Sequence, residues 1–568
     1  MNEKKDFELK SGYYLGLAIM MIILLFLMLI IFNLSYFIKK KSHNLQEEDS
    51  RKLEKQEKLK HVTTNPTCLI ISTQDKKSEL KIVEDSLNKT KISYMTKASL
   101  EDFTTEEIIE SEIIIINGNR FENVDVVENL IRYQEKNIIF MSMPNVNYIK
   151  NTNLKKIMGI KNITQSEYKK GIEFLPGFLI GGLIKLPELK YSSSEVELLS
   201  TTKTYVIGSD KSPIIWRNIF DKTNIYMING PFAKMNAGYG ILTAIIAQIY
   251  PDYIYPIVNA KLFTYSGFPY ISNDNTDGLI KTYNRNAMQL QHDILIPDIL
   301  SINKSRNLIP NGFLINTIDN YLSDNTIEQI NNYEKNFYKN SGEVGIRYSG
   351  NHEEDNKLFN KLFNKDFKLL EIDKEFKDID ILMENDKFNL VEAVCGSFRT
   401  DYNFSYITNN AVYIPYTIEG VEITDLDKLE FYSYLTAFGT ISQNINFEQI
   451  IYPSDNNDNW INVSRKYIKF IDSYRDKFIM IKSRNITETS QLVKKYNLNS
   501  PRVKYFSNKI TIKSDEWYGE LHYILRTNKE IDSITNAIAY QIEEGVYLVS
   551  VHDKEAYIYL KQIDKYSR

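Results

Sequence analysis

A chain of 568 residues is too long for a single hydrophobic core, so roughly three to four domains are expected. Hydrophobic residues at 43% and charged residues at 25% are the balance of folded protein, and a net charge of −4 argues against a nucleic-acid binder, which usually shows a basic stripe. Two cysteines, Cys68 and Cys395, with no Cys-x-x-Cys pair or Cys/His cluster, exclude a cysteine-based structural zinc site.

Residues 1–11 form a short polar tail. No charge interrupts Ser11 to Ile38, and Tyr13 to Phe32 is almost wholly apolar, which predicts a transmembrane helix over residues 12–38. No small-residue cleavage site follows, so an uncleaved anchor is expected. Lys4, Lys5 and Lys10 precede it and Lys39, Lys40 and Lys41 follow, so charge does not fix its orientation. Residues 39–64 are dense in Glu, Lys and Gln and read as a charged stalk.

Residues 65–255 alternate short apolar runs with amphipathic segments. Cys68–Ser72, Ile92–Tyr94, Glu112–Asn117 and Asn137–Met141 read as strands, with helices at Ser78–Asn88 and Val124–Glu135. That alternation predicts a parallel sheet flanked by helices. Cys68 reads as a buried small hydrophobe. No Gly-x-Gly-x-x-Gly follows the first strand, which argues against dinucleotide binding. Residues 180–230 look β-rich, and Gly238–Ile249 is an apolar helix.

From Tyr253 the alternation resumes over residues 256–499. Strands are expected at Tyr253–Val258, Lys261–Tyr265, Gly312–Asn316, Glu343–Ile346, Leu390–Val394 and Ala411–Ile414, with polar helices between. Residues 500–568 change character again: closely spaced apolar runs predict a small antiparallel β-domain.

Three stretches of the middle region carry candidate chemistry. Ile271-Ser272-Asn273-Asp274-Asn275-Thr276-Asp277-Gly278 follows a strand and puts carboxylates near its carboxyl end. Tyr348-Ser349-Gly350-Asn351-His352 follows a second strand, and Ser397-Phe398-Arg399-Thr400-Asp401-Tyr402 a third. In this order the three resemble the motifs of the polysaccharide deacetylases (the NodB-homology fold), and the chain resembles membrane-anchored bacterial proteins of exopolysaccharide (Pel-like) clusters. Residues 65–255 are similar to noncatalytic relatives of the glutamine amidotransferase fold.

The resemblance implies an α/β protein: a transmembrane helix, an amidotransferase-like parallel-sheet domain, a distorted (β/α) deacetylase-like barrel and a C-terminal β-domain. It implies metal-assisted hydrolysis, in which a divalent cation such as zinc lowers the pKa of its water and a carboxylate takes the proton. On that pattern Asp277 and His352 are the metal ligands, Arg399 orients the base, and Asp274 stands in for a base whose own position holds Thr276. Tyr348 replaces one ligating histidine; a shifted alignment instead puts Arg347 and Asn351 at the two histidine positions. Where relatives carry a late histidine this chain has Gln443, and His552 in Val551-His552-Asp553 is a second candidate for that role. With ligands and base missing, the expectation is a weak or absent zinc site. The protein would then bind an amino-sugar polysaccharide, possess an extracellular large domain on the cell membrane, and work beside exopolysaccharide synthesis or export subunits. The alternative is an active N-deacetylase with an altered metal site. Plain structural roles compete for each residue: a turn at Asp277, a helix start at His352, an ion pair for Arg399.

Overall fold

The structure is a computed structural model and describes residues 67–72, 77–118, 131, 135–150, 153–271, 275–316, 322–373, 388–397, 404–407, 410–453, 459–474, 478 and 480–561. The expected tail, membrane helix and stalk (residues 1–64), most of the expected helix at Val124–Glu135, and both Asp274 and Arg399 lie outside the described residues. Among the described residues no helix is long and apolar enough to cross a membrane.

The first sheet has nine strands. β1 (Thr67–Ser72), β2 (Ser93–Lys97), β3 (Ile113–Asn117) and β4 (Asn137–Phe140) lie parallel in the order β2-β1-β3-β4. The apolar runs of β1, β3 and β4 are continuous because both faces are covered, whereas the edge strand β2 is partly exposed. Cys68, Ile70, Ile113, Ile115 and Ile139 enter one core, while Leu69, Ile71, Ile114, Ile116 and Ile138 enter the other. The sheet then continues through β9 (Thr223–Ile228), parallel to β4, and turns antiparallel through β8 (Pro213–Phe220), β7 (Lys203–Gly208), β5 (Ile160–Phe174) and β6 (Ile184–Leu198). The hairpin β5–β6 has two strands of 15 residues, longer than any strand the sequence suggested.

Helices α1 (Lys77–Thr90) and α2 (Gly238–Ile249) cover the first of those cores. After α2, β10 (Asp252–Ile257) pairs antiparallel with a strand near the end of the chain. The expected domain boundary at residue 255 therefore runs through a strand that belongs to the C-terminal β-structure.

The second large sheet is parallel throughout. β11 (Ala260–Ser266), β12 (Pro310–Leu314), β13 (Val344–Arg347), β14 (Leu369–Ile372), β15 (Ala393–Gly396) and β16 (Val412–Pro415) follow one another in space as in sequence. On the other side of β11 lie β18 (Thr440–Asn446) and then the two-residue β17 (Ile418–Glu419). β16 and β17 are halves of one segment. Tyr416 N–H still donates to Gly396 beside β15, and Thr417 N–H already donates to Ser442 of β18, at 3.0 and 2.9 Å. That handover brings the two ends of the sheet towards each other, so it curves as a half-barrel.

Alternation along the strands sorts the side chains. Leu262, Phe313, Leu369, Cys395 and Ile414 fill the interior, whereas Phe263, Leu314, Ile346, Leu370 and Val394 face the surrounding helices. Those helices include α3 (Thr276–Tyr283), α4 (His352–Phe363), α5 (Asp425–Phe438), the short α6 (Glu448–Ile451) and α7 (Ile486–Leu498). α5 packs on α2, where a Cβ on Gly240 would sit 2.4 Å from the Ser433 Cα. The Gly240 N–H instead donates to the Ser433 hydroxyl at 2.7 Å.

Residues 501–560 together with β10 form two antiparallel four-stranded sheets. β19 (Pro501–Tyr505), β20 (Lys509–Ser514), β25 (Glu555–Leu560) and β22 (Ile531–Thr535) make one. β10, β21 (Leu521–Thr527), β24 (Val546–Val551) and β23 (Ala537–Glu543) make the other, with a core of Ile254, Ile510, Tyr523, Val549 and Ile558. The antiparallel character expected for this region is what the structure has.

Candidate functional site

Parallel strands closing into a barrel gather their carboxyl-terminal loops on one face, where such folds carry chemistry. At that face a hollow of about 340 Å³ is lined by Arg347, Glu371, Asp373, Ser397, Tyr416, Glu419, Asn444, Asn446 and Gln449, among others. The apolar interior ends one layer below it, at Cys395 and Ile414.

Glu371 is the centre of this mouth. Its Oε2 accepts from Arg347 Nε at 2.9 Å, and its Oε1 accepts from the Tyr416 hydroxyl at 2.7 Å and from the Ser266 hydroxyl. A carboxylate offers about four acceptor positions, so three are already filled. Arg347 reaches further, donating from Nη1 to Glu448 at 2.8 Å. Burial alone would lower the Arg347 pKa, but Glu371 and Glu448 outweigh it and hold the guanidinium above its ordinary value. Burial, reinforced by Glu371, pushes the Tyr416 phenol well up, so it is a proton donor in the network. Asn444 Oδ1 accepts from Thr264 at 2.9 Å and lies 3.0 Å from the Ser266 hydroxyl; Asn446 Nδ2 donates to Glu448 at 3.3 Å.

The structure places the expected ligands elsewhere. Asp277 is exposed in the first turn of α3, where a carboxylate complements the helix dipole, and it does not line the mouth. Asn351 caps α4 by accepting from the Glu353 N–H at 3.2 Å, and His352 is the first helical residue. The His352 ring packs against Phe367 and Phe388, with centroids 5.0 and 4.6 Å away. It lines a shallow depression on α4 with Asn356 and Asn360 rather than the mouth. The buried Gln443 donates from Nε2 to the Gly420 carbonyl at 3.0 Å. His552 sits in the terminal β-domain, 3.7 Å from Glu520.

These positions test the zinc that the deacetylase resemblance implies. Catalytic zinc takes about three protein ligands with an open position. Among the described residues no group of three or more His, Cys, Asp or Glu is placed to hold a metal ion. At the mouth Glu371 and Glu448 converge on Arg347, a fixed cation that offers no lone pair. Glu371 and Glu448 are thus engaged by a cation that the chain itself supplies.

The mouth residues were mostly hidden in the sequence. Arg347 surfaced only in the shifted alignment that set it at a histidine position. Glu371 lies on β14, which the sequence masks because Glu371 interrupts the apolar run Leu369-Leu370-Ile372 and Asp373 ends it. Its signal was the pairing of a short apolar run with acids at its carboxyl end.

A family model described as "Uncharacterised protein conserved in bacteria (DUF2194)" matches residues 394–548, from β15 to the start of β24. A search of curated proteins gives no match. Among solved structures, a protein described as a glycoside hydrolase/deacetylase from Parabacteroides distasonis aligns at 11% identity and a TM-score of 0.28, over 48% of this chain and 82% of its own. A ThuA-like protein from Bacteroides uniformis aligns at 10% identity and a TM-score of 0.25, over 34% of this chain and 95% of its own. An exo-β-1,4-mannosidase from an Opitutaceae bacterium aligns at 12% identity and a TM-score of 0.23, over 30% of this chain. The match spans 32% of that enzyme. The fold itself is a mixed α/β one with a curved parallel sheet.

Proposed function

We propose that this protein binds an amino-sugar polysaccharide at the barrel mouth and serves the processing or export of a cell-envelope exopolysaccharide, as a catalytically impaired relative of the polysaccharide deacetylases. In this reading residues 12–38 anchor it in the membrane and the large domain lies outside the cell. The observation that carries the reading is Arg347, shared between Glu371 and Glu448. A guanidinium already neutralises the carboxylates that metal-assisted hydrolysis would set around a cation. Glu371, with three donors in place, has little capacity left to take a proton from water. Asp373, Glu419, Asn444 and Asn446 around the rim suit the amino and hydroxyl groups of a sugar.

The test is calorimetry on the full-length protein in detergent with a glucosamine tetramer, together with acetate release from the N-acetylated tetramer and metal analysis. Binding that weakens about tenfold in Asn446→Ala, without acetate release, supports the reading. Stoichiometric zinc and acetate release that vanishes in Asp277→Ala or His352→Ala would replace it with the active N-deacetylase. Protease added to intact, wall-stripped cells checks the orientation: an outward domain is digested, an inward one is protected.

A further inference from the structure

A second polar hollow lies far along the chain from the mouth, at the carboxyl ends of β4 and β9. Its volume is about 730 Å³, within the range of small-ligand sites. The loop after β4 supplies Ser142, the short helix Val146–Lys150 supplies Asn147, and the hairpin β5–β6 supplies Gln165 and Ser192. The wall is built rather than incidental. Asn229, 1% exposed, accepts from the Ser194 N–H at 2.9 Å and donates to the Ser194 and Pro213 carbonyls at 2.8 and 3.2 Å.

The lining decides the ligand class. Among the described residues lining it there is no carboxylate, so it does not select a cation. Its lysine, Lys234, is tied to Glu79 at 2.9 Å, so an anion gains little there. What remains is hydroxyl and carboxamide, groups that both donate and accept, as sugar hydroxyls do. An aromatic surface stands beside them. Tyr168 pairs with Ser192 across the hairpin as Ser166 pairs with Ser194, so the four share one face of the ribbon. Tyr168 is 93% exposed, so both the edge and the face of its ring are open to a ligand.

We propose that this cavity is a second glycan site, taking an uncharged oligosaccharide whose hydroxyls meet Gln165, Asn147 and the serines while one ring stacks on Tyr168. It is independent of the barrel mouth, which is charged and suits an amino sugar.

The experiment titrates full-length protein with two neutral probes, N-acetylchitotetraose and maltotetraose, read by saturation-transfer NMR. At least one binds, and Tyr168→Ala and Gln165→Ala each raise its Kd fivefold or more, while Asn446→Ala at the mouth leaves it unchanged. Gln165→Trp, which fills the hollow, abolishes binding. Both substituted positions are exposed, and an unchanged circular dichroism spectrum separates loss of binding from loss of fold. The assignment is overturned if neither tetrasaccharide binds at millimolar concentration, if the Tyr168 and Gln165 variants bind like the native protein, or if inorganic phosphate displaces the sugar.

Discussion

The barrel mouth and the hairpin cavity are both polar hollows at the carboxyl ends of parallel strands, yet opposite chemistry holds them in shape. At the mouth, two carboxylates, Glu371 of β14 and Glu448 of α6, converge on one guanidinium, and the hydroxyls of Ser266 and Tyr416 complete the set on Glu371. At the cavity, a single buried carboxamide, Asn229, ties β6 to β8, and the charge of the lining, Lys234, is offset by Glu79. A charged network is fixed only while every partner is present, because each orphaned ion carries the full cost of desolvation. A neutral lining tolerates single losses and leaves its groups available to a ligand.

That contrast is open to attack in order of effect. Arg347→Met strips the partner from Glu371, which is 2% exposed, and is expected to destabilise by about 3–5 kcal/mol in a denaturant melt. A loss below about 1 kcal/mol would show that the network is ornamental. Asn229→Ala removes three hydrogen bonds from a neutral site and is expected to cost about 2 kcal/mol. Salt should divide the two ligands: raising ionic strength from roughly 0.05 to 0.5 M weakens the glucosamine tetramer at the mouth about tenfold and leaves the neutral tetramer unmoved. Equal salt sensitivity at both would erase the distinction.

The seam between the regions carries its own titration. Glu430 on α5 faces Asn236 beside the cavity, and burial raises its pKa to about 7. A carboxyl whose folded pKa exceeds its unfolded one binds more protons when folded, so its contribution is complete at low pH and declines as pH rises toward 7. The decline should be on the order of 1 kcal/mol, reduced because the group is part-exposed. Glu430→Gln should flatten the stability profile between pH 4.5 and 7. An unchanged profile would place the titration elsewhere. The smallest effect is Tyr168→Ala, within about 0.5 kcal/mol in a melt because the ring touches little of the core.

The strands that fill cores were legible. β1, β3 and β4 announce themselves as unbroken apolar runs, and β11, β12, β15 and β16 sit within a few residues of where periodicity puts them. The hairpin β5–β6 was not, because its middle is exposed and polar residues such as Lys169, Lys170 and Ser192 to Ser194 break the alternation. The mouth was harder still. Ser266, Glu371 and Tyr416 meet across separations of 105 and 45 residues, and nothing local marks them as partners. The acid-bearing motifs were legible as motifs, yet Asp277 and His352 took helix-start positions whose sequence pattern resembles that of a ligand. Where Asp274 and Arg399 sit relative to the mouth lies outside the described residues.

β10 sets a clock on how this molecule can be made. The strand leaves the ribosome just ahead of the barrel, but its partner β21 follows about 270 residues later. At roughly 5–20 residues per second, β10 waits on the order of 15–50 s with an unpaired edge. The barrel's own closure has a similar delay, since β18 pairs with β11 only after about 180 residues have intervened. The two longest waits end at opposite ends of one stretch of chain, β10–β11, so that stretch is among the first of the barrel to be synthesised and the last to be secured. A chain stopped before residue 521 would present the edge of β10, with its buried Tyr253 and Tyr255, to whatever nascent chain lay nearest.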